Sequence, residues 1–210
     1  APMRRLLALL PLAAIFFANP SAAIGILVPS QPNVPAIQLQ HHRVEVEINE
    51  RGATTKVTQE FKNPTGRQLE ATYLFPLPQG ATVDSYALWM NGKEMVGEVV
   101  ESKRARQIYE SIVRRARDPG LIEYVDAQLF QARVFPVPAG GVMKIELVYT
   151  HLIPYEDGVH RYVYPMKTDQ HASATLDDFT MTVRIKNKLP IKNLYSPTHA
   201  VATQRKGKTG

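Results

Sequence analysis

The chain has 210 residues, is 44% hydrophobic and carries a formal net charge of +6. That is enough apolar material for one sizeable core, and the positive balance permits anionic partners without requiring them. No cysteine is present, which excludes disulfides, thiolate catalysis and cysteine-ligated zinc.

Met3-Arg4-Arg5 forms a positive n-region. Residues 6–17 form an apolar run too short to cross a bilayer comfortably. Ser21-Ala22-Ala23 supplies the small residues that a signal peptidase reads. We expect a signal peptide over residues 1–23, cut after Ala23, and an exported product that is extracellular, periplasmic or at the cell surface. The alternative is an uncleaved N-terminal membrane anchor. Residues 24–40, with Pro29, Pro32 and Pro35, read as a Pro-rich linker.

From Arg43 the pattern changes. Val44, Val46 and Ile48 alternate with Glu45, Glu47 and Asn49, as in a half-buried strand. Arg51-Gly52 signals a turn. Val57, Gln59 and Phe61 continue the alternation up to Asn63-Pro64-Thr65-Gly66, a strong turn signal. Residues 71–75 form the next strand, which enters Phe75-Pro76-Leu77-Pro78-Gln79-Gly80. Proline cannot donate to a ladder, so this motif should end the strand, and Gly80 permits the turn. Residues 83–90 form another strand, leading into the hairpin signal Asn91-Gly92.

The period then becomes helical. Ala105, Ile108, Tyr109, Ile112, Val113 and Ala116 share one side of a helix over about residues 101–117. Glu110 and Arg114 form a favourable i,i+4 pair, and Asp118-Pro119-Gly120 stops the helix. Strands resume at residues 130–134, and Phe135-Pro136-Val137-Pro138-Ala139-Gly140 repeats the earlier stop. Residues 143–149 and 179–185 alternate cleanly, and 161–164 is a short candidate strand. The fold class is therefore mainly β, an antiparallel β-sandwich with one amphipathic α-helix. Residues 201–210 are polar and basic, an interrupted chain or a disordered tail.

The chain resembles the vault protein inter-alpha-trypsin, or VIT, domain. Val57-Thr58-Gln59-Glu60-Phe61 and Asn63-Pro64 carry the first part of the match. Glu70 to Pro78, Gly80-Ala81-Thr82-Val83, Gly97-Glu98-Val99, Ala105 and Tyr109-Glu110 carry the middle. Leu129 to Pro136 and Leu147-Val148-Tyr149 complete it. Residues 41–166 would be the VIT-like domain and 167–200 a strand-containing connector. The resemblance implies a β-sandwich with one helix in extracellular proteins such as inter-alpha-trypsin inhibitor heavy chains. It also implies a von Willebrand type A domain further on. The Asp-x-Ser-x-Ser metal motif of many such domains is absent, and Asp84-Ser85-Tyr86 does not match it. The expectation is a chain truncated before that domain. The resemblance transfers no catalytic residue.

The sharpest binding candidate is the basic helix face: Lys103, Arg104, Arg106, Arg114, Arg115 and Arg117. It can meet an acidic protein, an acidic glycan or an anionic membrane surface, or simply be solvated. The arginines lack interleaved aromatics, which argues against nucleic acid. His41 and His42 are adjacent on a strand and point to opposite faces, so they cannot easily share a metal ion. Neither H-E-x-x-H, G-x-S-x-G nor a P-loop occurs. Asp177-Asp178, and Glu123 with Asp126, read as solvated loop acids. Trp89 reads as sheet-face or core packing, with a partner anchor as the alternative. No catalytic residue, metal ligand or cofactor site is expected. The functional expectation is a non-catalytic exported interaction module that contacts a protein partner, matrix or its own downstream domain. The rivals are an exported hydrolase with an unrecognised site and a polyanion- or membrane-binding module.

Overall fold

Alternating side chains build two sheets that bury their apolar faces against each other. The computed structural model describes residues 25–34, 37–90, 92–95, 98–99, 128–164 and 176–205. The signal peptide at 1–23, the helix at 101–117 and residues 206–210 of the tail lie outside the described residues. The regular elements among those described are strands.

In chain order they are β1 (Ile26–Pro29), β2 (Gln38–Asn49), β3 (Gly52–Lys62), β4 (Leu69–Leu77), β5 (Thr82–Met90) and β6 (Lys93–Met95). Then come β7 (Glu98–Val99), β8 (Gln128–Val137), β9 (Val142–Leu152), β10 (Tyr155–Glu156), β11 (Val159–His160) and β12 (Asp178–Lys186). One sheet has the order β1-β4-β8-β7, and the larger one β12-β2-β3-β9-β5-β6. The short β10-β11 pair stands apart. Pairing is antiparallel except at one place. β12 runs parallel to β2, so the larger sheet is mixed and the all-antiparallel expectation is corrected there.

The two large sheets share one core. Leu69, Ala71, Tyr73, Phe75, Phe130, Ala132 and Val134 come from the smaller sheet. Val57, Phe61, Leu88, Met143, Ile145, Leu147 and Tyr149 come from the larger. Tyr73 is fully buried, with the rings of Phe61, Phe75, Tyr86 and Phe130 all within 6.3 Å of its own, centre to centre. Burying side chains of this size contributes roughly 1.5–3 kcal/mol each. The β2 alternation places Val44, Val46 and Ile48 inward. They form a second cluster with Ala53 and Ile153, covered in part by Tyr162, Tyr164, Phe179, Met181 and Ile185.

The Pro-rich stretch is not a free linker. β1 pairs with β4 from Ile26↔Leu74 to Pro29↔Ala71, Leu27 is fully buried, and Ile37 bridges back to Leu27. Proline is tolerated there because β1 is an edge strand. Residues 161–164 carry no strand, and Tyr162 and Tyr164 instead cover the second cluster. The connector strand is a member of the larger sheet.

The two Pro-x-Pro motifs behave alike. Each strand continues through its first proline and ends before the second, at Leu77 and Val137. Gly80 and Gly140 follow with φ of 74° and 62°. Ala81 N–H donates to Pro78 O and Gly141 N–H to Pro138 O, each at 3.1 Å. Positive φ at the third position is what a type II turn demands of glycine. Pro76 lies beyond the last β1 pair at Leu74. Pro136 falls where β8 slips register against β4 between Ala71↔Val134 and Leu69↔Val137. A bulge is where a missing donor is least costly. Buried Asn63 then ties the β3 exit to the second turn, donating to Pro138 O at 2.8 Å and to Arg67 O at 2.9 Å.

If β1 is part of the core, Leu27→Ala should lower unfolding stability by about 3 kcal/mol, read as a shifted urea midpoint with an unchanged slope. A loss under about 0.5 kcal/mol would restore the linker reading.

Candidate functional site

Strand alternation points two polar residues, His42 and Gln59, into the core. His42 is on the same face of β2 as Val44, and Gln59 lies between Val57 and Phe61 on β3. Both are buried. Such groups are tolerated only when hydrogen-bonded, and these are. Tyr73 Oη donates to Gln59 Oε1 at 2.6 Å. That orients the amide so that Gln59 Nε2 donates to His42 Nδ1 at 3.3 Å, with Gly25 O at 3.5 Å. His42 then carries its proton on Nε2 and donates to Tyr164 Oη at 2.8 Å. The Phe179 ring of β12 packs edge-on against His42, 5.5 Å between centres. The chain Tyr73–Gln59–His42–Tyr164 thus joins β4 of one sheet, β3 and β2 of the other and the covering segment. Nearby, Thr55 Oγ1 meets Tyr162 Oη at 2.9 Å.

Gly25 is required by close approach. A Cβ there would stand 2.6 Å from Gln59 Oε1, 2.7 Å from Phe75 and 2.9 Å from Tyr73 Oη. Burial lowers the His42 pKa to about 4 and raises those of Tyr73 and Tyr164. Neutral groups with both ring nitrogens engaged suit a structural tie. A general base must keep a lone pair free for its substrate.

The outer face of the larger sheet holds a second arrangement. Trp89 points away from the core, beside its β9 partner Lys144. The Lys144 ammonium sits 4.0 Å over the indole centre. A cleft of about 480 Å³ is lined by Trp89, Lys144, Glu60, Val142 and Gly92. Glu146 pairs with Lys56 at 2.9 Å and Lys144 at 3.3 Å. Partial burial alone would raise the Glu146 pKa, but hydrogen bonds and charge from both lysines outweigh it and hold the carboxyl low. The Trp89 face is therefore covered by its own cation, and Glu146 is shared between two lysines. Trp89 packs on a sheet face, as one of the two sequence readings had it.

Other candidates are dispersed. Lys103, Arg104, Arg106, Arg114, Arg115 and Arg117 lie outside the described residues, as do Glu123 and Asp126. His41 is exposed and His42 buried, on opposite faces of β2. Asp177 accepts from Gln40 Nε2 at 3.3 Å, a bond that seats the start of β12. Asp84, at a β5 register shift, accepts from Thr150 Oγ1 at 2.6 Å. Among the described residues no histidine ring is hydrogen-bonded to a carboxylate or to a serine hydroxyl.

The family model for the vault protein inter-alpha-trypsin domain matches residues 39–149. The chain belongs to the VIT family. The matched residues begin within β2 and end within β9, so β1 and β12 lie outside them yet join the same two sheets. Over 144 residues the chain is 28% identical to mouse von Willebrand factor A domain-containing protein 5A, covering 67% of this chain and 18% of that protein. It is 27% identical over 165 residues to bovine inter-alpha-trypsin inhibitor heavy chain H3, covering 77% and 18%. It is 29% identical over 135 residues to mouse protein mono-ADP-ribosyltransferase PARP4, covering 62% and 7%. This VIT chain spans less than a fifth of the length of each of these curated relatives.

The His42 pKa is lower folded than unfolded, so protons favour the unfolded chain between the folded value of about 4 and the ordinary histidine value of 6.5. That stability is complete above the unfolded pKa and is lost as the pH falls toward the folded one. Between pH 7.5 and 4.5, urea unfolding should show a loss larger by about 2–3 kcal/mol in the parent chain than in His42→Gln. Equal losses in the two proteins would show that His42 is not held neutral by its surroundings.

Proposed function

We propose that this chain is a non-catalytic, exported scaffold module, a VIT β-sandwich that meets a protein partner or a downstream domain of its own polypeptide. The observation that carries this reading is the placement of exposed apolar side chains. Leu189, Leu194, Tyr195 and Val201 are exposed on residues 187–205, which carry no strand or helix. Single exposed apolar residues are ordinary, but a series of them on one extended stretch suits a contact surface. The names of the relatives add that a von Willebrand type A domain accompanies such segments, which makes that domain the first candidate for the contact. Mono-ADP-ribosyl transfer is not carried over, because the chain aligns with only 7% of that enzyme. The hydrolase rival finds little support, because the hydroxyl that meets a histidine ring at Thr198–His199 is exposed and belongs to the neighbouring residue, and among the described residues no carboxylate orients that ring. Export rests on the sequence of residues 1–23 and on the likeness to an inhibitor heavy chain.

Amide hydrogen exchange tests the contact surface. In a polypeptide extended through the reading frame beyond Gly210, exchange over residues 187–205 should slow by about tenfold or more relative to the 210-residue chain. Unchanged exchange would contradict the proposal. Export by cleavage predicts a mature product beginning at Ile24 on N-terminal sequencing, and a product that keeps Arg4 and Arg5 would contradict it.

A further inference from the structure

β12 stands at one end of the six-stranded sheet with β2 on one side only. Its two ends are tied back toward β2. Asp177 N–H donates to Gln40 O at 2.9 Å before the strand. After it, Glu50 N–H donates to Lys186 O at 3.1 Å and Lys188 N–H donates to Glu50 Oε1 at 2.8 Å. Both ends of the strand are therefore hydrogen-bonded on the β2 side. Among the described residues no strand pairs with the outer edge. An open edge of 9 residues is a template for another strand.

The sequence of the strand says which one. Phe179, Met181, Val183 and Ile185 share one face, and Thr180, Thr182 and Arg184 the other. The pattern is symmetric about Thr182. In an antiparallel pairing centred there, Phe179 falls opposite Ile185, Met181 opposite Val183, and Asp178 opposite Lys186. Apolar residues meet apolar ones, and opposite charges meet at both ends. Val183, next to the centre, is 41% exposed, so the described residues leave that face unfinished. An unrelated acidic strand would suit Arg184 and Lys186 but would set a like charge against Asp178. A second copy suits both ends.

We propose that β12 pairs antiparallel with β12 of a second copy, two-fold about Thr182, and joins two six-stranded sheets into one. The interface is isologous, so each pair except the central one occurs twice.

The absence of cysteine makes the test clean. In Thr182→Cys the two thiols lie at the two-fold axis, where antiparallel partners have Cα atoms about 4.5–5.5 Å apart, within disulfide reach. Mild oxidation of this variant should give a covalent dimer, while Thr180→Cys, whose partner is Arg184, should give no disulfide-linked dimer. Both positions are exposed, so neither change touches the core. In sedimentation velocity, Lys186→Asp should weaken self-association by about tenfold, and the double change Asp178→Lys with Lys186→Asp should restore it. Three results would overturn the proposal: a parent chain monomeric at every concentration, cross-linking at position 180 as efficient as at 182, or a charge swap that does not restore pairing.

Discussion

Polar groups buried between two apolar sheets must find partners there, and this requirement fixes much of the molecule. Gln59 is the pivot. Its carbonyl oxygen accepts a hydrogen bond from the Tyr73 hydroxyl, and its amide nitrogen donates to His42. Tyr73 is on the smaller sheet, His42 and Gln59 on the larger, and Tyr164 on the segment that covers the second cluster. Apolar contacts alone tolerate sliding, because one methyl can replace another. A directed chain of hydrogen bonds does not, since a one-residue slip would turn His42 or Gln59 outward and leave the others unsatisfied. Gly25 completes the constraint, because any side chain there would displace the Gln59–Tyr73 bond. The charged face of the larger sheet carries a smaller part, since its ion pairs are partly exposed and such pairs contribute little.

Much of this was legible in the sequence because strands write their two faces in alternate letters. The alternations at 44–48, 57–61, 143–149 and 179–185 all fall on strands. Gly80 and Gly140 mark turns because only glycine takes their positive φ without strain. The buried relay was visible in part, since Gln59 stands in the inward phase between Val57 and Phe61. Its partner His42 keeps the phase of Val44, but its bond to Tyr164 spans 122 residues, and no local signal reports such a distance. β1 was obscured by its prolines, which suit a linker and an edge strand equally well. The parallel pairing of β12 was equally hidden, because alternation shows which face is buried and not which neighbour runs alongside.

The surfaces that remain have different characters. On the outer face of the larger sheet Lys144 covers Trp89 and Glu146 lies between two lysines. Residues 187–205 carry exposed apolar side chains, and among the described residues no strand pairs with the outer edge of β12. A module that leaves apolar side chains and a strand edge outside suits an interaction role. β1 and β12 lie outside the VIT match yet inside its sheets, so the core and the β12 edge belong to the same two sheets.

The most direct test of the central constraint is a double-mutant cycle between Gln59→Leu and Tyr73→Phe, with stability measured by urea unfolding. Gln59→Leu alone leaves the Tyr73 hydroxyl and His42 Nδ1 without partners, whereas the pair of changes removes the hydroxyl as well. The account predicts that the double variant is more stable than the sum of the singles by about 1–2 kcal/mol. Losses that add to within about 0.3 kcal/mol would show that the two sheets are held in register by apolar packing alone.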